Sequence, residues 1–156
     1  MGQSSIRTFA MDFHKQAFSA NREYLVVGGV LDNICNSACQ SCNAEHSTKI
    51  GALLSKDYIR INNEPALHSL PLDRIIQLDI NGGEPTASPV YQKLLENLPK
   101  NLKYLRVNTN GSRILPNLKN IIDRGIEVTI TMSCDGVGPV FEYTRWPLKW
   151  HTFVST

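Results

Sequence analysis

IIQLDINGGEPTASPVYQKLLENLP, residues 75–99, divides into three parts with different physical demands. Ile75 to Ile80 is a short run of β-branched and other apolar side chains, which marks a buried strand. Ser88 and Pro89 supply an N-cap and a first helical residue that needs no N–H partner. Tyr91, Leu94, Leu95 and Leu98 then share one face at i, i+3, i+4 and i+7 spacing, and Pro99 ends the helix. Between strand and helix, Asn81-Gly82-Gly83-Glu84-Pro85 carries more glycine and polar character than a simple connector needs.

The same alternation extends in both directions. Tyr24 to Leu31, Tyr104 to Thr109 and Glu127 to Met132 read as three further buried strands. Between the last two, Leu115, Leu118, Ile121 and Ile122 make a one-sided apolar stripe, with Pro116 near its start and Gly125 placed as a left-handed C-terminal cap. Strand, helix, strand, helix and strand in this order imply βαβ crossovers and hence a parallel sheet. The expected fold class is α/β. From Asn43 to Asp73 the apolar residues keep neither period and Pro65 and Pro71 interrupt them, so only some helix is expected there.

With 156 residues, 42% hydrophobic and 19% charged, the chain is long enough for one globular domain with a core. A formal charge of +2 with dispersed lysines and arginines argues against nucleic acid or an anionic membrane as a main partner. No stretch approaches the ~20 apolar residues of a membrane span and Met1 to Ala20 has no signal-like apolar run, so a soluble, cytoplasmic protein is expected. In that compartment four cysteines are poor candidates for structural disulfides, and three of them crowd between Cys35 and Cys42. Cys134, far along the chain from these, is expected to be a small buried packing residue, and Trp146 and Trp150 to be helix-packing aromatics.

Each expected strand is followed at once by an unusual cluster: Asp32-Asn33-Ile34-Cys35, Asn81 to Pro85, Asn108-Thr109-Asn110-Gly111, and Ser133-Cys134-Asp135-Gly136. In a parallel sheet these loops share one rim, the rim at which α/β folds bind ligands. Any one such loop is explained by turn formation alone. Four together, one with three thiols, describe a site.

Cys35-Asn36-Ser37-Ala38-Cys39-Gln40-Ser41-Cys42 has CxxxCxxC spacing, which lets three thiolates close on one soft metal centre. A cubane cluster has four irons, so three protein thiolates leave one iron open to a small molecule. Zinc is the alternative, because His46 after Cys42 completes a tetrahedral Cys3His set. A closed zinc site leaves the other three loops without a ligand. Phosphate binding by Gly82-Gly83 lacks the GxGxxG or Walker pattern.

CxxxCxxC after a first strand and GGEP after a second, in this order, resemble the radical S-adenosylmethionine superfamily. Asn108 to Gly111 resembles that family's third-strand loop and Ser133 to Gly136 its fourth-strand, ribose-side motif. Phe141 to Arg145, leading into Trp150, resembles the segment before the fourth helix of the peptide- and protein-modifying branch, whose members often carry SPASM or twitch extensions. The resemblance covers residues 24–156, the N-terminal part of a core domain, and leaves residues 1–23 as an N-terminal tail.

The resemblance implies a partial (β/α) barrel with parallel strands, of which about four βα units lie in this chain. It implies a four-iron, four-sulfur cluster on Cys35, Cys39 and Cys42, with S-adenosylmethionine chelating the open iron. Reductive cleavage then gives methionine and a 5′-deoxyadenosyl radical that abstracts hydrogen from a substrate, for which a peptide or protein is the class the branch suggests. An electron donor such as flavodoxin or ferredoxin is implied as a partner. Gly82, Gly83 and Glu84 are expected to meet the methionyl amino group, with Pro85 stiffening the turn. Asn108 and Asn110 are expected along the adenosyl side, Ser133 and Asp135 at the ribose or methionyl end, and Arg145 at the carboxylate. Two departures from the family pattern stand out. Ser41 occupies the position before the third cysteine, where an aromatic residue is frequent. The chain also ends at Thr156 inside the expected fourth helix, so an incomplete barrel prone to association is anticipated.

Overall fold

A computed structural model describes residues 23–55 and 61–156. The tail expected over residues 1–23 therefore lies almost wholly outside the described residues. Among the described residues the sheet has four strands, β1 (Leu25–Val30), β2 (Ile75–Asn81), β3 (Tyr104–Thr109) and β4 (Glu127–Met132). All neighbours are parallel and the spatial order is β1-β2-β3-β4, without a reversal. The α/β fold with a parallel sheet follows the sequence pattern, and each strand lies within a residue or so of its expected limits.

Six helices accompany the strands among the described residues: α1 (Thr48–Leu53), α2 (Glu64–His68), α3 (Pro89–Glu96), α4 (Leu118–Asp123), α5 (Pro139–Thr144) and α6 (Trp150–Ser155). Helix α3 is capped as its sequence requires, with Ser88 accepting the Tyr91 N–H and Pro89 in the first turn. Tyr91 and Leu95 face the core from α3, and β3 alternates cleanly, with Leu105, Val107 and Thr109 buried between exposed neighbours. Burial of each large apolar side chain here contributes roughly 1.5–3 kcal/mol. None of the described helices is long and apolar enough to cross a membrane.

Tyr91 does more than fill the core. Its hydroxyl donates to the Asn81 carbonyl and accepts the Leu31 N–H at 2.7 Å, so one buried phenol fastens the ends of β1 and β2 together. Burial pushes its acidity weaker than that of a free phenol, with the backbone N–H groups of Leu31 and Asp32 opposing the shift.

Helix α4 departs from its expected form. It begins only at Leu118, after Asn117 in the left-handed conformation at φ 62°, so Pro116 precedes the helix. Ile122 is 55% exposed whereas Ile121 is 1% exposed. Successive helical residues lie about 100° apart, and the contact surface offered by the sheet takes one of these two positions, not both. Gly125 does cap the helix, with φ 78° and its N–H donating to Ile122. A Cβ at this glycine meets nothing within 4 Å among the described residues. Gly125→Ala should therefore cost only the left-handed backbone penalty, about 1–2 kcal/mol, read as a lowered midpoint in thermal or urea unfolding; a variant as stable as the parent would contradict this account.

Candidate functional site

The four loops that follow the strands meet at one rim, and the cysteine loop is held there from several sides. Asp32 is 1% exposed and its carboxylate accepts from the Ile34 N–H at 3.0 Å and the Ser88 hydroxyl at 2.5 Å. Asn33 is fully buried and its amide donates to the Glu45 carbonyl at 2.8 Å while accepting the Ile61 N–H at 3.1 Å. The start of α1 clamps the same loop: Ser47 donates to the Ser37 carbonyl at 2.7 Å, and the Thr48 hydroxyl accepts the Cys35 N–H at 3.1 Å. From the far end of the chain, the carbonyls of Trp146 and Thr144 accept the N–H groups of Ala38 and Gln40 at 2.7 and 2.9 Å.

Gly82-Gly83-Glu84 lies directly against this loop. The Gly83 N–H donates to Asp32 and the Glu84 N–H to the Ile34 carbonyl, the latter at 2.7 Å. A Cβ at Gly83 would stand 2.1 Å from the Ile34 carbonyl oxygen, and one at Gly82, where φ is 129°, would stand 2.7 Å from the Asp32 carbonyl oxygen. These glycines are required by the neighbouring backbone itself, whatever ligand is bound.

The side chain of Glu84, a residue expected to meet the methionyl amino group, turns into the protein and does not line the space between the loops. It is 0% exposed, and one carboxylate oxygen accepts from the Thr86 N–H, the Thr86 hydroxyl and the Thr109 hydroxyl at 3.0, 2.7 and 2.8 Å. The other oxygen accepts the Asn110 N–H at 2.6 Å. A buried carboxylate is tolerated when its lone pairs are filled in this way, and here it ties the loop after β2 to the loop after β3. Pro85 is likewise buried behind the rim.

A cavity of about 230 Å³ opens between the loops. Cys35, Cys39 and Cys42 line one side of it, with His46 and Ser41 beside them, and Gly82, Gly83, Asn108, Asn110, Ser133 and Arg145 line the rest. Six of the nine residues expected to contact a cofactor thus share one cavity with the three thiols, whereas Glu84, Pro85 and Asp135 do not line it. Asp135 instead forms an ion pair with Arg145 at 2.8 Å. The same guanidinium reaches Cys39 Sγ at 3.7 Å, and its buried Nε has no hydrogen-bond partner among the described residues. The cysteines are reduced; burial pushes the Cys42 thiol up, the Asn43 backbone contact opposes this, and the thiols of Cys39 and Cys35 add to the rise.

As they stand, no three His, Cys, Asp or Glu side chains among the described residues form a set that could hold a metal ion. Three thiols stand on one cavity wall, with a guanidinium beside one of them and glycine backbone opposite.

Two other expectations need correcting. Cys134 is exposed, its thiol donating to the Gly136 carbonyl at 3.1 Å, in the loop that follows the edge strand β4. Trp146 is 45% exposed, with Lys49 Nζ 5.5 Å from its ring centroid, while Trp150 packs with Phe141 and Phe153 as expected. Ser37, Asn36, Thr109 and Asp32 lie within the clusters that the sequence singles out, but nothing in the sequence gives any of them a role of its own. Compared with family models, curated proteins and solved structures, the chain matches none.

Proposed function

We propose that the chain is the N-terminal part of a radical S-adenosylmethionine enzyme core, with Cys35, Cys39 and Cys42 holding a four-iron, four-sulfur cluster. The observation that carries this reading is the shared cavity: three thiols from one loop open onto the same space as Gly82, Gly83, Asn110 and Arg145. The sequential strand order supports a partial (β/α) barrel, since a doubly wound sheet reverses its order at a switch point. The chemistry that such a cluster and cofactor supply when bound is one-electron reductive cleavage leading to hydrogen abstraction from a substrate.

The residues of this chain provide the setting. The three thiolates are the ligands, and Arg145, already neutralised on one side by Asp135, offers its remaining N–H groups to a thiolate sulfur and to a carboxylate in the cavity. Asn108 and Ser133 present amide and hydroxyl groups for a sugar or amino acid. Glu84 acts at one remove, holding Asn110 in place. A peptide or protein substrate and a flavodoxin- or ferredoxin-like electron donor complete the proposal.

The test is anaerobic reconstitution followed by reduction and addition of S-adenosylmethionine. Wild-type protein is expected to bind about four irons with matching sulfide and to release 5′-deoxyadenosine, and Cys39→Ala to do neither. One zinc per chain without sulfide would replace this reading by a Cys3His site using His46.

A further inference from the structure

Ser37 sits between two of the thiols. It is 2% exposed, and its hydroxyl oxygen lies 3.3 Å from Cys35 Sγ and 3.5 Å from Cys39 Sγ. The Asn110 side-chain nitrogen approaches the same oxygen at 3.3 Å. That nitrogen's role is fixed by its surroundings: Asn110 Oδ1 accepts the Ser112 N–H at 3.0 Å, so Nδ2 faces Ser37 and Asn36 and can only donate. The Ser37 oxygen is thus an acceptor toward Asn110, and the remaining groups within its reach among the described residues are the two sulfurs. A free thiol can donate to the hydroxyl. A thiolate cannot, and the hydroxyl proton must then point at sulfur.

Resting on the cluster reading above, we propose that Ser37 sets the electron affinity of the centre held by Cys35 and Cys39, by donating its hydroxyl proton to a thiolate ligand. Hydrogen bonds to the ligating sulfurs are among the determinants of cluster potential. A donor draws electron density from the sulfur and stabilises the more negative, reduced state more than the oxidised one, so it raises the potential. The hydroxyl is held for this task by a relay across three loops: Glu84 accepts the Asn110 N–H, Asn110 donates to Ser37, and Ser37 meets Cys35. The loop after β2 is thereby linked to the cysteine loop through Asn110. Ser37 acts through the thiolates.

The experiment is a redox titration of the anaerobically reconstituted full chain, followed by electron paramagnetic resonance, for wild type, Ser37→Ala and Ser37→Thr. At the potential that half-reduces the wild type, Ser37→Ala should show an about tenfold smaller ratio of reduced to oxidised cluster, equivalent to ~59 mV for a one-electron couple. Ser37→Thr keeps the hydroxyl and should stay close to wild type. The signal comes only from loaded molecules, so partial occupancy does not distort the comparison. A Ser37→Ala ratio within twofold of wild type would overturn the proposal. So would a Ser37→Ala protein that takes up no cluster while wild type does, since the hydroxyl would then build the centre and not tune it. Wild-type protein that takes up no iron would instead defeat the cluster reading on which this one rests.

Discussion

Glu84→Ala is expected to lower the unfolding free energy by about 3–5 kcal/mol and to abolish ordered loading of the cysteine loop. Four donors converge on this carboxylate inside the protein: two backbone N–H groups, of Thr86 and Asn110, and two hydroxyls, of Thr86 and Thr109. The hydroxyls can rotate toward other acceptors. The N–H groups cannot, and each buried donor left unpaired costs about 1–3 kcal/mol. Glu84→Gln separates shape from chemistry, because it fills the same space but replaces one acceptor oxygen by a donor. Whichever way the amide turns, an NH2 group confronts either the Asn110 N–H or the group of three donors, so the conservative variant should also lose about 2 kcal/mol or more. Urea unfolding followed by circular dichroism measures both. A Glu84→Gln protein within about 0.5 kcal/mol of wild type would mean that the carboxylate is dispensable to the fold.

The parts of this architecture that were legible in the sequence are those governed by local period and local caps. β3 alternates apolar and polar residues, and its limits came out as expected; Ser88-Pro89 announced α3, and Gly125 announced the end of α4. Parallel strands put their following loops on one rim, so the convergence of Cys35, Gly83, Asn110 and Ser133 is legible in the sequence alone. What could not be inferred was the direction each loop side chain takes. Glu84 and Gly83 are adjacent in sequence, yet one side chain turns into the core and the other position lines the cavity. The choice depends on partners 25 and 26 residues away, Thr109 and Asn110, and no local pattern encodes those distances. The same holds for Ser37, whose neighbour Asn110 lies 73 residues on. Ile122 and Cys134 were misjudged for a related reason: composition signals burial, but only the placement of the neighbouring layer decides which apolar side chain is covered.

Gly83→Ala should be at least as damaging, costing about 3 kcal/mol or more, for a reason that has nothing to do with backbone conformation. The added methyl carbon would lie 2.1 Å from the Ile34 carbonyl oxygen, 2.6 Å from its carbonyl carbon and 2.7 Å from the Asn33 carbonyl carbon. All three are main-chain atoms, so no side-chain rotation relieves the overlap. The two loops must separate, and separation breaks the 2.7 Å bond from the Glu84 N–H to the Ile34 carbonyl. Ile34 precedes Cys35, so the displacement passes straight to the first thiol of the motif. Gly125→Ala is the matched control, because it adds the same methyl group into open space at a left-handed position far from the cysteines. The two variants should therefore differ in kind: Gly125→Ala loses modest stability and binds iron like wild type, whereas Gly83→Ala loses more stability and binds little iron even under conditions where it remains folded. Iron content measured on folded protein, beside urea midpoints for both variants, makes the comparison. Equal iron uptake by folded Gly83→Ala and wild type would show that the contact between the Gly82-Gly83 turn and the cysteine loop supports the fold without shaping the centre.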